Sequence, residues 1–195
     1  MAVLIPVYLR QYGPTNFLYF CDVALLITLA GIWLECPLLL SMCAVGILVP
    51  QTVWVIDFLS NLVGLPVSGM TDYMFEAQRS LFLRGLSLFH GWMPFLLVWL
   101  VWRVGYDPRA FRAWTVLSCI VLPVCYFLMP PPQPDPGLTP VNINYVWGFS
   151  DHVAQNWMPA NAWFALLLIG LPLVVYWPTH LLLRRMMPKP GGQRA

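Results

Sequence analysis

Residues 15–33 read TNFLYFCDVALLITLAGIW, a stretch that is almost wholly apolar except near its start. A helix of about 20 apolar residues is long enough to cross the hydrocarbon core of a bilayer, which is about 30 Å thick. The same stretch contains Cys21 and Asp22, with Asn16 and Tyr19 just before them. It therefore predicts a membrane-spanning helix that carries a polar cluster close to one end.

The composition of the whole chain agrees with a membrane location. Of its 195 residues, 59% are hydrophobic and only 9% are charged, against about 25% charged residues in soluble domains. Ten Trp, eight Tyr and eleven Phe fit a chain that crosses the membrane interface repeatedly, where aromatic rings are enriched. The net charge of +2, without a basic stripe, argues against a nucleic-acid partner.

Hydropathy divides the chain into apolar segments that are bounded by charge, Pro and Gly. We predict an all-α fold, a polytopic transmembrane helix bundle in which residues 1–195 form a single transmembrane domain. Residues 2–9 are too short to span and contain Pro6, so we expect them to lie along the membrane interface. The five predicted spans are 16–34, 38–63, 81–103, 111–129 and 160–183, and the loop 130–159 precedes the last of them.

Lys and Arg predict the orientation, because short cytoplasmic loops carry an excess of them. The loop 130–159 contains neither residue, so we expect it and the N-terminus to be non-cytoplasmic in a multi-pass cell-membrane protein. Arg79 and Arg84 also fall on that side, against the rule. The residues that predict a cytoplasmic C-terminus and a cytoplasmic turn before the fourth span are Arg103, Arg109, Arg112, Arg184, Arg185, Lys189 and Arg194.

The cysteines and histidines favour neither a metal nor a cofactor. The five cysteines show no Cys-x-x-Cys or Cys/His metal spacing, so we interpret them as free thiols. A bis-His haem needs two facing imidazoles, whereas His90 and His180 fall in opposite leaflets. His152 remains able to reach His90 from the outer loop, which weakens the argument against haem without closing it.

Polar residues recur at helical spacing in the outer halves of the first three predicted helices. An ionisable side chain at membrane depth costs roughly 2.5–3.5 kcal/mol and is a functional-site candidate by default. We predict that Asp22 faces the bundle interior, in a polar cavity open to the non-cytoplasmic side, within reach of Arg84 or His90 and capped by the NINY segment. The three stripes are Asn16, Tyr19 and Asp22; Trp54, Asp57 and Asn61; and Arg84, Ser87 and His90.

Structural roles are alternatives for each of these residues. Asp22 pairs with Arg84 in helix packing if it has no site role. Asp57 and Asn61 lie close enough to the boundary to be simply solvated, which is the favoured reading of both. His90 is a hydrogen-bonded packing residue if it is not catalytic, and His180 is expected at the interface.

The order of several short motifs resembles the YwaF-like family of bacterial integral membrane proteins, whose eukaryotic relatives include an ether-phospholipid acyltransferase. The motifs are CDVALLITLAG, a His in the third span, GYDPRAFRAW, NINYVWG and WMP before the last span. The resemblance implies a thiol nucleophile at Cys21 and a base at His90, with Asn142 and Asn144 near the mouth of the site. Bacterial members place a His shortly before the Cys, where this chain has Tyr19.

Two functional hypotheses follow. The first is a lipid-directed acyltransferase or hydrolase in which His90 activates Cys21 and Asp22 or Asn144 orients the imidazole. The residues expected to contact its substrate are Asn16, Tyr19, Arg84, Asn142, Asn144 and Trp147. The alternative is a non-catalytic protein that binds a lipid, a quinone or a partner subunit, with its site lined by Trp54, Trp92, Trp147 and Trp157. Membrane lipids are the expected partners in both, and the absence of an internal repeat disfavours transport.

Overall fold

The structure is a computed structural model that describes residues 1–65, 67–77 and 79–191. Arg194, which contributes to the predicted orientation, lies outside the described residues. The described chain is helical without strands, which confirms the predicted all-α bundle. The helices are α1 (Leu4–Gln11), α2 (Phe20–Trp33), α3 (Pro37–Leu62), α4 (Leu81–Ser87), α5 (Phe89–Val104), α6 (Ala110–Leu128), α7 (Ala160–Gly170) and α8 (Trp177–Met186).

Four helical segments are long and apolar enough to cross a membrane. Two of them are composite: α4 continues into α5, and α7 joins α8 through a π-helical segment, Leu171–Tyr176. The helix α2 is a fifth, shorter apolar helix. The four long segments are Pro37–Leu62, Leu81–Val104, Ala110–Leu128 and Ala160–Met186.

The helix α2 begins four residues later than predicted. Residues Pro14–Leu18 form a 3-10 turn, and Tyr19 is extended before α2 starts at Phe20. The remaining 14 residues rise about 21 Å at 1.5 Å per residue, less than the hydrocarbon thickness. Hydropathy could not show this, because the turn residues are themselves largely apolar.

Residues Leu4–Gln11 form the short non-spanning helix α1, and Pro6 does not break it. Pro6 lies in the first turn, where its missing N–H would have had no partner inside the helix. Leu4 and Tyr8 point into the protein and are buried.

The helix α3 lies at the centre and packs against α2, α5 and α6. Gly46 allows α3 to approach α6 closely: a Cβ atom built there would lie 1.8 Å from the fully buried Trp114 ring.

The two ends of the bundle differ in the segments that form them. One end, called the turn end, consists of the turns at 34–36 and 105–109 together with residues 187–191. There Tyr106 N–H donates to Pro188 O at 2.7 Å. The opposite end, called the loop end, consists of segments 1–19, 67–77 and 129–159.

Candidate functional site

Asp22 lies inside the bundle at the loop end, in the first turn of α2. Its side chain is 3% exposed, and Asn16 Nδ2 donates to its Oδ2 at 3.0 Å. Oδ1 is buried and has no hydrogen-bond partner among the described residues. Buried polar atoms are rarely left without a partner, so this oxygen is an acceptor available to a hydrogen-bond donor from outside the described chain.

The NINY segment lies directly over the start of α2. Asn144 Oδ1 accepts from Phe20 N–H at 2.9 Å, and Asn144 Nδ2 donates to Leu18 O at 2.9 Å. Tyr19 Oη donates to Val141 O at 3.3 Å. These bonds satisfy backbone groups that the 3-10 turn and the helix start leave open. Asn144 and Tyr19, predicted to contact a substrate, thus have structural partners within the chain.

The Asn142 side chain holds the NINY segment through hydrogen bonds to the backbone of the same loop. Its side chain is 1% exposed, donates to Gly148 O at 2.8 Å and Ser150 O at 3.0 Å, and accepts from Trp147 N–H at 2.9 Å. Its φ of 48° is left-handed, a conformation that Asn tolerates better than most residues. A second predicted substrate contact is therefore engaged in holding the loop.

The phenols of Tyr73 and Tyr145 lie near the thiol of Cys21. Burial raises the pKa values of Tyr73 and Tyr145 well above the ordinary value, and the nearby Cys21 thiol adds to both rises. The Tyr73 phenol also lies beside the Trp54 and Ser87 side chains. Tyr73 was not among the residues singled out in the sequence, because it lies in a loop and belongs to no helical stripe.

His90 is held by its own helix and by aromatic rings. Its Nδ1 lies 2.7 Å from Ser87 O, and its ring stacks on Trp54 at 4.9 Å between centroids. A carbonyl oxygen only accepts, so Nδ1 carries the proton and Nε2 keeps its lone pair. In the described part of the chain no hydrogen bond joins His90 to Cys21.

Arg84 does not pair with Asp22, contrary to one expectation from the sequence. Its guanidinium donates to the backbone carbonyls of Arg79, at 2.8 Å, and Glu76. No ion pair within the described ranges involves either Asp22 or Arg84. The segment before α4 turns its carbonyl oxygens towards Arg84, and this loop geometry could not be predicted from spacing.

Asp57 is buried, and the interpretation that it is simply solvated is wrong. It is 1% exposed, and its two oxygens accept from the backbone N–H groups of Val67, Ser68 and Thr71 and from Thr71 Oγ1. The four donor distances run from 2.6 to 3.2 Å. Asp57 therefore fastens the loop that contains Tyr73 onto the end of α3. Asn61, by contrast, lies at the surface and donates to Asp72 Oδ1 at 3.0 Å.

The four tryptophans do not line one site. Trp54 stacks on His90, and Trp147 stacks on Tyr126 at 4.5 Å between centroids. Trp92 is 50% exposed and Trp157 is 64% exposed.

The His180 side chain lies at the end of the bundle that the sequence predicts, but inside the protein. It is buried at the turn end, where its Nδ1 lies 2.7 Å from Tyr106 Oη. It lies at the opposite end of the bundle from His90. Over the described residues, no group of three or more His, Cys, Asp or Glu side chains is placed to hold a metal ion.

The fold and the polar cluster define a class: a multi-pass helical membrane protein with buried polar side chains gathered at one end of the bundle. Comparison of the chain with protein-family models, with curated proteins and with solved structures finds no match.

Proposed function

We propose that the protein binds the polar end of a membrane amphiphile at Asp22, and that this end donates hydrogen bonds through an amine or a hydroxyl group. The observation that supports this most directly is the buried Asp22 Oδ1, which has no hydrogen-bond partner among the described residues. The other carboxylate oxygen, Oδ2, accepts from Asn16 Nδ2. A carboxylate only accepts hydrogen bonds, and ionisable groups at membrane depth usually serve pairing or function. A hydrogen-bond donor from the ligand would give Asp22 Oδ1 a partner, as Asn16 does for Oδ2.

Native mass spectrometry of the delipidated protein tests this with two lipids. Phosphatidylethanolamine presents N–H donors, whereas phosphatidylcholine carries the same phosphate and a quaternary ammonium without them. We expect phosphatidylethanolamine to be retained at least fivefold better by the wild type, and Asp22→Asn to abolish the difference. Asp72→Asn, at the exposed partner of Asn61, is the matched control. Equal retention of both lipids by the wild type would refute the proposal.

A second candidate function is acyl transfer or ester hydrolysis by Cys21. It is favoured by His90, whose Nδ1 is engaged by Ser87 O so that Nε2 is left as a base. His90 Nε2 would take the thiol proton while Cys21 Sγ attacks an acyl ester, giving a thioester and releasing the alcohol, which receives the proton. An acceptor alcohol or water would then cleave the thioester.

A thiol-directed acyl probe distinguishes the two candidates. Catalysis predicts labelling of Cys21 that falls at least tenfold in His90→Gln and stays unchanged in His152→Gln, at an exposed histidine. Equal labelling of Cys21 in the wild type and in His90→Gln would remove the enzymatic candidate.

The relation to the YwaF-like family is likewise a proposal, supported by the order of the five short motifs.

The proposed orientation places the turn end in the cytoplasm and the loop end outside, in the cell membrane. Its support is the distribution of cations among the described residues. The turn end carries Arg103, Arg109, Arg112, Arg184, Arg185 and Lys189, whereas the loop end carries Arg10, Arg79 and Arg84.

A further inference from the structure

A groove opens on the surface of the loop end between α1, α4 and the loop that carries Leu138. It encloses about 590 Å³, within the roughly 300–1,000 Å³ typical of ligand sites. One part of its wall is apolar and the other is polar. The apolar part, called the apolar trough, includes Pro6, Val7, Phe82 and Leu138, and the polar part includes Arg10 and Ser80.

The helices that border the groove favour a position at the membrane interface, where lipid headgroups meet the acyl region. The helix α1 has eight residues, about 12 Å at 1.5 Å per residue, so it cannot span. It buries Leu4 and Tyr8 and leaves Arg10 exposed, the amphipathic arrangement of a helix that lies in the interface. The neighbouring α4 begins the next membrane-crossing segment.

Arg10 is the charged group of this groove. Among the described residues it has no hydrogen-bond or ion-pair partner, although the other two arginines of the loop end have them. Arg79 pairs with Glu76 at 3.4 Å, and Arg84 donates to carbonyl oxygens. Arg10 therefore offers a complete guanidinium fork beside an apolar trough.

We propose that this groove binds one phospholipid, with the phosphate on Arg10 and an acyl chain along Val7, Phe82 and Leu138. A guanidinium matches a phosphate with paired hydrogen bonds. Ser80 Oγ accepts from Leu83 N–H at 3.3 Å, which leaves its hydroxyl hydrogen free to donate to the same phosphate. The combination of one cation and an apolar trough selects a lipid phosphate over the free ion.

This site is separate from the one proposed at Asp22 and does not depend on it. Tyr8 Oη and Ser87 Oγ lie 3.2 Å apart, and this contact joins α1 to α4 between the groove and the Asp22 cluster. The groove takes a phosphate through a cation, whereas the Asp22 cluster takes a donor through a carboxylate.

The test measures binding of phosphatidylglycerol to the delipidated, detergent-solubilised full chain by native mass spectrometry. We expect Arg10→Gln to weaken binding at least fivefold and Arg10→Lys to weaken it less, because Lys keeps the charge without the fork. Arg185→Gln, which removes an exposed cation at the turn end, is the matched control and should bind as the wild type does. Equal losses in Arg10→Gln and Arg185→Gln, or no loss in either, would overturn the proposal.

Three further measurements test the apolar wall of the groove, the source of the phosphate and the independence from Asp22. Leu138→Trp narrows the apolar trough from the loop side without changing charge, and we expect it to weaken phosphatidylglycerol binding at least threefold. Inorganic phosphate in excess should not displace the lipid, and displacement would show a site for free phosphate instead. Phosphatidylcholine has the phosphate but no N–H or O–H donor for Asp22. We expect its binding to be retained in Asp22→Asn and weakened in Arg10→Gln, so that failure of the groove proposal and failure of the proposed function are separable.

Discussion

Asn144 caps the helix α2 from 124 residues away: its Oδ1 accepts from Phe20 N–H at 2.9 Å. Through Nδ2 it also donates to Leu18 O, so one side chain bridges the 3-10 turn and the start of α2. The bond positions Asp22, two residues further along the helix. The loop 129–159 thereby determines where the buried carboxylate lies.

Replacing Asn144 by Ala should lower the free energy of unfolding by about 1–2 kcal/mol, the usual cost of removing a helix cap. Thermal unfolding in detergent measures the loss. Asn161→Ala is the control, since Asn161 is exposed and, among the described residues, its side chain accepts only from the next residue, Ala162. A loss of equal size in both variants would show that Asn144 does not cap α2.

Gly46→Ala should destabilise the protein by about 1–3 kcal/mol, as overpacking does in a tight core. The reason is the Trp114 ring, which lies 1.8 Å from the position of the added Cβ atom. Gly91→Ala, in α5 with nothing within 4 Å of its Cβ position, should stabilise by about 0.5–1 kcal/mol through helix propensity. Thermal unfolding of the pair checks the contact between α3 and α6, and effects of the same sign would contradict it.

Asp57→Ala should loosen the loop that contains Tyr73. The change leaves the N–H groups of Ser68 and Thr71 without their acceptor, and unsatisfied buried groups cost about 1–3 kcal/mol. We expect limited proteolysis within residues 67–77 to accelerate at least tenfold. Asp72→Asn serves as the surface control, and equal cleavage rates in the two variants would show that Asp57 does not fasten the loop.

Asp151 should make stability depend on pH in the direction opposite to most carboxylates. Burial raises its pKa from 3.8 to about 6, with the charges of His152 and Arg79 opposing the rise. The folded state holds the proton more tightly, so this contribution is full below about pH 4 and is lost as the pH rises through about 6. Unfolding temperatures between about pH 4 and pH 7 should therefore depend less on pH in Asp151→Asn.

The pKa of Asp107 shifts in the direction opposite to that of Asp151. Hydrogen bonds from Arg109 hold the pKa of Asp107 below its usual range, so its contribution is present above about pH 4 and is lost as the pH falls. Asp107→Asn should consequently reduce the loss of stability below about pH 4. The expectation for Asp151 fails if Asp151→Asn leaves the pH dependence of the unfolding temperature between about pH 4 and pH 7 unchanged.

The orientation is checked with single reporter cysteines in a variant that lacks the five native ones. Ser150→Cys at the loop end and Arg185→Cys at the turn end are both exposed positions. In intact cells, a membrane-impermeant maleimide should label the first and spare the second until the membrane is permeabilised. The reverse pattern would invert the proposed topology.

The helices could be predicted from the sequence because burial in lipid acts on each segment separately. A run of about 20 apolar residues favours a helix across the bilayer whatever its neighbours are. The burial of Asp22 followed from the same principle, since a carboxylate facing lipid is costly. The fold class and the inward direction of Asp22 were thus determined by local composition and the cost of burying charge.

The partners of the polar groups were decided only by the tertiary structure. Asp57 looked solvated because it lies near the end of α3, yet the loop 67–71 folds back and supplies four donors. Pairing with Asp22 was one of the alternatives for Arg84, yet nearby carbonyl oxygens accept its hydrogen bonds instead. A hydrogen bond needs its two atoms within about 3 Å in a suitable direction, and this depends on how distant segments pack. Periodicity places a side chain on one face of a helix, and the loops that cover that face determine what it contacts.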